Sequence, residues 1–297
     1  MKAERKYRML VKPAMFIVAM LLHGPAPLCA QPLNVTIDGQ LLRLQPTLDA
    51  PPLAILNPEA ASRIHMSGGM MAPKAKVAGT TLRGRTATIR SVVGGASVPK
   101  LRVASFGRTY MTGFDGGIGV DAVPANHIWW SGERGGLPSY RIKLQRIRGK
   151  WIARQPIAGQ SFDIRFDFSR SGSITNRVGG QILLDADKAL SSGRVSESPV
   201  AFSIVRPVER LDLNGIDFGG RRLEAVDSRV SAERATQLKQ MAATIDDEDE
   251  QATIVVNGRR PSERRYREKP YLILGKDWLG SCSARFTRST GMLELFC

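Results

Sequence analysis

The feature that most constrains the fold of this 297-residue chain is an internal repeat. The stretches VTIDGQLLRLQPTLDAPPLAILNPEAASRI and QPIAGQSFDIRFDFSRSGSITNRVGGQIL follow one plan. Each has a strand-like run, a Gly-Gln turn (Gly39-Gln40 and Gly159-Gln160), a returning strand, an aspartate, a few small or polar residues and an aliphatic closure. Repetition of one supersecondary unit predicts two lobes that are built alike.

A second pair of matching stretches follows the first. FDGGIGVDAVP at 114–124 and YLILGKDWL at 271–279 both run from apolar residues to a glycine, one further residue, an aspartate and an apolar position. Asp49 and Gly119 are 70 residues apart, whereas Asp167 and Gly275 are 108 residues apart. The difference of 38 is the length of the segment 231–268, which holds a helix-like run and two blocks of opposite charge. We therefore expect a charged, flexible insertion in the second lobe at about 231–269.

The remaining segments predict an all-β fold. Runs such as RTATIRSVV, SYRIKLQRI and SFDIRFDF alternate or are β-branched, and Gly, Pro or Asp residues separate them. Helical periodicity is limited to two short stretches. One is NPEAASRI, in which Asn57 can cap a helix and Pro58 takes its first turn. The other begins at Ser231.

The first thirty residues have the pattern of a cleaved signal peptide. A basic start, MKAERKYRMLVK, precedes the apolar run Ala14–Leu22 and a small residue, Ala30. Nine apolar residues are too few to span a bilayer. A disordered basic tail and a lipid-modified Cys29 are the alternatives. We expect an exported protein, periplasmic or secreted, with no transmembrane segment after the signal is removed.

Charge and histidine content limit the classes of function. Lys and Arg number 43 against 27 Asp and Glu, a net charge of +16 that falls to about +12 without the signal peptide. Its arginines are scattered along strand-like segments, so we expect general attraction to an anionic envelope and no specific nucleic-acid partner. With only His65 and His127 left after the signal peptide, neither a zinc site nor a Ser-His-Asp triad has enough material. We expect no metal and no cofactor.

Two cysteines remain near the end of the chain. Cys282 and Cys297 flank two strand-like runs around the turn at 289–291, and counting outward from that turn brings them opposite each other to within a residue or two. An oxidising compartment would allow a cross-strand disulfide. The alternative is two free, buried thiols.

In the two pairs of repeated stretches, the chain resembles the pepsin/retropepsin family of aspartic proteases. The resemblance is to bacterial two-lobe members with degenerate Asp-Thr-Gly motifs. LDAPPLAILNPEAASRI is similar to the family's catalytic turn and following helix, and the eight-residue step from Gly159 to Asp167 also suits the family. FDGGIGV and YLILG are similar to its second element, an apolar strand ending in glycine that packs beside the aspartate. The resemblance implies two homologous β-barrel lobes with a few short helices, 31–148 and 149–297.

The resemblance also implies peptide-bond hydrolysis by two aspartates, but the sequence departs from the family's motif at both of them. In the family two close carboxylates share a proton, and one of them activates water for peptide-bond hydrolysis. Asp49 and Asp167 are the residues expected in those roles, acting on a peptide or protein in the cleft between the lobes. Both motifs are degenerate, however, because the turns read Asp-Ala-Pro and Asp-Phe-Ser. A catalytically inactive binding or scaffold protein of the envelope, which keeps the protease fold, is therefore the alternative.

Overall fold

The computed structural model describes residues 32–66, 73–77, 79–131, 136–245 and 269–297. The expected signal peptide and the two charge blocks at 246–268 lie outside this part of the chain, so both remain predictions. In the described part, no helix is long and apolar enough to cross a membrane.

The first half of the chain is almost entirely β-structure with one short helix. Its elements are β1 (Leu33–Ile37), β2 (Gln40–Thr47), β3 (Ala54–Leu56), α1 (Pro58–Ser62), β4 (Lys74–Val77), β5 (Thr80–Arg83), β6 (Arg85–Val93), β7 (Ala96–Ser105), β8 (Gly116–Gly119), β9 (His127–Trp130) and β10 (Tyr140–Lys143). Six of these strands close into a barrel in the order β1-β2-β8-β3-β7-β6.

The second half repeats the same elements with additions. Its elements are β11 (Gln145–Ile147), β12 (Lys150–Ile157), β13 (Gln160–Phe166), β14 (Ile174–Thr175), α2 (Arg177–Asp185), β15 (Ala189–Ala201), β16 (Ile204–Phe218), β17 (Arg221–Arg229), α3 (Ala232–Ile245), β18 (Tyr271–Leu274), α4 (Lys276–Leu279), β19 (Ser283–Thr287) and β20 (Met292–Phe296). Eight strands form one sheet in the order β11-β12-β13-β18-β14-β17-β16-β15.

The two strand orders match element by element. Within the eight-stranded sheet, β12-β13-β18-β14-β17-β16 corresponds to β1-β2-β8-β3-β7-β6 of the barrel. In the first lobe β8 lies parallel to β2 and antiparallel to β3. In the second lobe β18 lies in the same way parallel to β13 and antiparallel to β14. The all-β, two-lobe architecture expected from the sequence is confirmed.

The hairpins that begin each lobe have the same turn. Ile37 pairs with Gln40 and Ile157 pairs with Gln160, which leaves two residues at each tip. Those residues, Asp38-Gly39 and Ala158-Gly159, all have positive φ. Two-residue turns of this kind match the right-handed twist of the flanking strands, and they fix the register of everything that follows in each lobe.

The lobes differ in closure, because only the first forms a complete barrel. β1 pairs with β6, but the described residues show no such pairing between the equivalent strands β12 and β16. Instead β11 lies on the free edge of β12, and β15 lies on the free edge of β16. The two edges still approach each other, since the Gln155 side chain donates to the Asp217 carbonyl oxygen at 2.9 Å.

A third sheet joins the two halves of the chain. Its order is β10-β20-β19-β9, so strands from the middle of the sequence pair with strands from its end. Trp129 and Trp130 of β9 are buried there. The Trp130 indole donates to the Pro46 carbonyl oxygen at 3.3 Å and its ring lies 5.4 Å from that of Phe168, so it contacts both lobes.

Two helices differ in detail from what the sequence predicts. α1 begins at Pro58 as expected, but the Asn57 side chain does not cap it and bonds to the loop before β8 instead. α3 packs against β15 and β16 and buries Ala235 and Leu238, which lie on one face because they are three residues apart. The helical part of the segment 231–269 is therefore packed on the second lobe.

Close backbone approach at one glycine of each lobe positions the aspartate-containing turns. A Cβ atom at Gly119 would lie 2.0 Å from the Pro51 carbonyl oxygen, and one at Gly275 would lie 2.8 Å from the Gly172 carbonyl oxygen. The Gly119 amide also donates to the Leu53 carbonyl oxygen at 3.0 Å. Each apolar strand can pass behind its turn only because these positions lack a side chain.

We predict that Gly119→Ala lowers the free energy of unfolding by about 3 kcal/mol, because its methyl group would meet rigid backbone. The measurement is urea denaturation followed by far-UV circular dichroism. Gly172→Ala is the matched control, because a Cβ there has nothing within 4 Å, and it should change stability by less than about 0.5 kcal/mol. Equal stability of the two variants would contradict the close approach at Gly119.

Candidate active site

The register of the strands shows which residues occupy equivalent positions in the two lobes. Leu44 lies opposite Gly116 in the first lobe, and Ile164 lies opposite Leu272 in the second. Counting forward from these pairs, Gly119 is equivalent to Gly275, as the sequence predicts. The same count makes Thr47, and not Asp49, the equivalent of Asp167.

Local hydrogen bonds support this equivalence. The Asp49 amide donates to the Thr47 hydroxyl oxygen at 3.3 Å, and the Ser169 amide donates to an Asp167 carboxylate oxygen at 3.1 Å. In both lobes the amide two residues further along bonds to the side chain at the equivalent position. Asp49 therefore corresponds to Ser169, and the two aspartates are offset by two residues.

Basic residues of the second lobe surround Asp49. Lys150 Nζ lies 3.0 Å from its Oδ1 atom, and Arg165 Nη1 lies 3.9 Å from the same oxygen. The Asp49 side chain is one-quarter exposed. Lys150 reaches it because the turn at Gly149 packs against Pro51, which brings the start of β12 to the first lobe. The Asp49 carboxylate therefore contacts cations of the second lobe.

Asp167 has a different environment. Its amide donates to the Leu274 carbonyl oxygen at 3.0 Å, so β18 fixes the residue from behind. The Ser169 hydroxyl and amide both donate to its Oδ1 atom. Burial raises the pKa of the Asp167 carboxyl, and the Asp49 charge raises it slightly further, against the opposing effects of Ser169 and Arg170. The fold thus places Asp49 close enough to Asp167 for its charge to act on that carboxyl group. The partners of the two aspartates differ, because Asp49 pairs with Lys150 and Asp167 accepts hydrogen bonds from Ser169.

Tyr110 lies close to both aspartates and to Thr47. Burial, and after it the charges of Asp49 and Asp167, raises the pKa of its phenol. The phenol therefore stays neutral and can donate a hydrogen bond. Asn57 holds this residue in place, because its Oδ1 atom accepts from the Tyr110 amide at 2.7 Å.

Each turn has its own bracing network. In the second lobe the Asp277 carboxylate accepts from the Ser173 amide and hydroxyl, both at 2.8 Å. The equivalent residue of the first lobe, Asp121, accepts from the Trp151 indole at 3.0 Å and pairs with Arg146 at 2.8 Å. Asp121 is therefore held by residues from 146–151, whereas Asp277 of α4 bonds to the turn of its own lobe.

Sequence reasoning missed four residues of this site: Thr47, Tyr110, Lys150 and Arg165. Only Thr47 has a local signal, because it lies eight residues after Gly39 just as Asp167 lies eight residues after Gly159. Lys150 and Arg165 come from distant strands and reach Asp49 only through the packing of the two lobes.

Two other site predictions concern the cysteines and metals. Cys282 and Cys297 form a disulfide at the end of the β19–β20 hairpin. Within the described ranges, no group of three or more His, Cys, Asp or Glu side chains is placed to hold a metal ion.

No protein-family model and no curated protein matches the chain. Among solved structures, the crystal structure of an aspartic proteinase from Irpex lacteus is similar to it, with 10% sequence identity and a TM-score of 0.42. The similarity covers 89% of this chain and 96% of that one. At this sequence identity the similarity concerns the fold alone.

We predict that Asp167→Asn raises the melting temperature at pH 8 and leaves it nearly unchanged at pH 3. The folded-state pKa of Asp167 lies above its unfolded value. Its contribution to stability is therefore complete below the unfolded pKa and is lost as the pH rises through the folded pKa. An asparagine has no such loss. Differential scanning calorimetry across this pH range is the measurement.

Asp49→Asn is the control for this prediction. It removes the partly exposed ion pair with Lys150, so it should lower stability at neutral pH by less than about 1 kcal/mol. A fall in melting temperature for Asp167→Asn at pH 8 would contradict the raised pKa.

Proposed function

We propose that this protein binds extended peptide segments in the cleft between its lobes and does not hydrolyse them. The observation that carries this proposal is that Thr47 stands at the position equivalent to Asp167. A shared-proton pair needs two carboxyl groups in matching positions, and here a hydroxyl group takes the place of one of them. Thr47, Tyr110 and Asp167 supply hydroxyl and carboxyl groups that can bond to a ligand.

The electrostatics of Asp49 supports the same proposal. Lys150 Nζ and Arg165 Nη1 of the second lobe lie 3.0 and 3.9 Å from its Oδ1 atom. A general base must contact the water that it activates, and here a lysine ammonium group already contacts this oxygen. The site also lacks the glycines of the family's motif, because Asp49 stands two residues after Thr47 and Ser169 stands two residues after Asp167.

One observation favours a second candidate, slow peptide-bond hydrolysis. Asp49 is close enough to Asp167 to raise its pKa. Aspartic-type hydrolysis needs one ionised and one protonated carboxyl group, and the raised pKa of Asp167 would make it the acid and leave Asp49 as the base. In this candidate the two groups act from offset positions, and Lys150 must leave Asp49 when water is activated.

We also propose that the protein acts outside the cytoplasm. The support is the basic and apolar pattern of residues 1–30 together with the Cys282–Cys297 disulfide, which suits an oxidising compartment. Peptides or unfolded segments of envelope proteins are the ligands that such a location offers.

We predict that the protein retains peptides without cleaving them. The experiment incubates it with a pool of acetylated hexapeptides between pH 3 and pH 7, separates bound from free peptides by equilibrium dialysis and identifies both by mass spectrometry. Retained, intact peptides are the expected result. Asp49→Asn and Asp167→Asn test the second candidate in the same assay.

The outcomes separate the two candidates. Cleavage that both substitutions abolish would establish hydrolysis by the two aspartates and overturn the binding proposal. Thr47→Asp combined with Asp49→Gly restores two carboxyl groups in equivalent positions, and a gain of cleavage in this variant alone would show that the offset is what silences the site.

A further inference from the structure

The β15–β16 hairpin extends beyond the sheet to which it belongs. β16 pairs with β17 only from Val208 onward, whereas its pairing with β15 continues outward to Ile204. Residues 198–207 therefore form a two-stranded ribbon with no third strand beside it in the described structure. An isolated ribbon of two strands is only marginally stable in water. Its position must depend on the contacts at its outer end.

The tip of this ribbon is a strained turn. Ala201 pairs with Ile204, so Phe202 and Ser203 form the two-residue loop, and both have positive φ, 54° and 51°. Glycine or asparagine usually occupies such positions, and a phenylalanine there is unfavourable. A residue held in this conformation is kept there by its surroundings.

Those surroundings belong to the first lobe, beside the candidate site. Phe202 is buried, with its ring 5.1 Å from that of Phe106 and 4.9 Å from that of Tyr110. Ala50, the neighbour of Asp49, lies in the same apolar cluster together with Leu82. A segment of the second lobe thus fills the apolar pocket between Tyr110 and the turn that contains Asp49. We call residues 198–207 the cleft ribbon.

Polar contacts hold the cleft ribbon at both ends. At the tip, the Ser203 hydroxyl donates to the Thr109 carbonyl oxygen at 3.2 Å, and Arg206 donates to the Thr80 hydroxyl at 2.8 Å. At the base, the Arg170 guanidinium donates to the Pro199 carbonyl oxygen at 2.6 Å and to the Ser198 hydroxyl at 3.1 Å. Arg170 lies three residues after Asp167, so the ribbon is tied to the turns of both aspartates.

We propose that the cleft ribbon is a lid, which occupies the pocket beside Asp49 with Phe202 and swings out as a unit while the two lobes stay folded. The contacts that hold its tip against the first lobe include the hydrogen bonds of Ser203 and Arg206 and the buried Phe202 side chain, and a ligand in the pocket can replace them. A peptide with a large apolar side chain would compete with Phe202 for the pocket. The ribbon thereby sets the affinity of the cleft for ligands, because only the open fraction of molecules can bind.

The first test needs no ligand and measures opening of the lid by thiol labelling. Ile204→Cys places a thiol at a buried position of the ribbon, and Leu211→Cys places one on the same strand where β17 covers it. Both carry Cys29→Ser, and Cys282 and Cys297 are joined in a disulfide. With 5,5′-dithiobis(2-nitrobenzoate) under native conditions, Ile204→Cys should react at least about 100-fold faster, because local opening needs less free energy than global unfolding.

Urea gives this test its control. Local opening exposes little surface, so the rate for Ile204→Cys should hardly change at low urea, whereas the rate for Leu211→Cys should follow global unfolding. Equal rates with equal urea dependence would show that the ribbon is part of the rigid core, and would overturn the proposal. Circular dichroism of each variant confirms that it is folded.

The second test rests on the proposed function and uses a fluorescein-labelled peptide, acetyl-Lys-Ala-Ala-Phe-Ala-Ala-amide, in fluorescence anisotropy. Phe202→Ala should bind it about 10-fold more tightly than the unsubstituted protein, because the pocket is vacated. Leu190→Ala, an exposed position on β15, should not change the affinity. Unchanged affinity of Phe202→Ala would overturn the competition between lid and ligand. Local opening with no binding by any variant would instead contradict the proposed function and leave the lid supported.

Discussion

The site depends on a close approach of two backbone segments in each lobe. Gly119 is the last residue of β8 and Gly275 directly follows β18, and each of these strands lies between two others, parallel to one and antiparallel to the next. Such a strand must pass directly behind the turn that joins its neighbours, and the space there excludes even a methyl group. The rest of each lobe, including the position of Asp167 and its bond to Leu274, follows from this crossing.

Much of this architecture could be predicted from sequence, because the same local signals occur once in each lobe. The turns at Gly39 and Gly159 fix the hairpin register, and the glycines at 119 and 275 mark where the crossing strands end. The aspartates were harder to place. The Asp-Ala-Pro-Pro stretch draws attention to Asp49, yet residues are placed by their register on the hairpin, which gives the equivalent position to Thr47. The first turn is one residue longer than the second between the equivalent positions, and this extra residue obscures the alignment.

The parts that sequence reasoning could not reach are contacts between segments far apart in the chain. Lys150 meets Asp49 across 101 residues, and Ser203 meets Thr109 across 94. No periodicity or motif in the sequence predicts either contact, because each depends on how two complete lobes pack together. The consequence is an asymmetric site, in which a carboxylate paired with lysine on one side and a carboxyl bonded to serine on the other replace the matched pair that the repeat alone suggests.

The third sheet has a consequence for how the molecule comes into being. β9 and β10 from the middle of the chain pair with β19 and β20, which follow them by about 150 residues. Until β19 and β20 have been synthesised, these middle strands have no partners in this sheet. The third sheet can therefore form only after the chain of the second lobe is available, and pairing across so long a stretch of sequence is a slow event in folding. The sheet that joins the two lobes is thus expected to be among the last parts of the molecule to form.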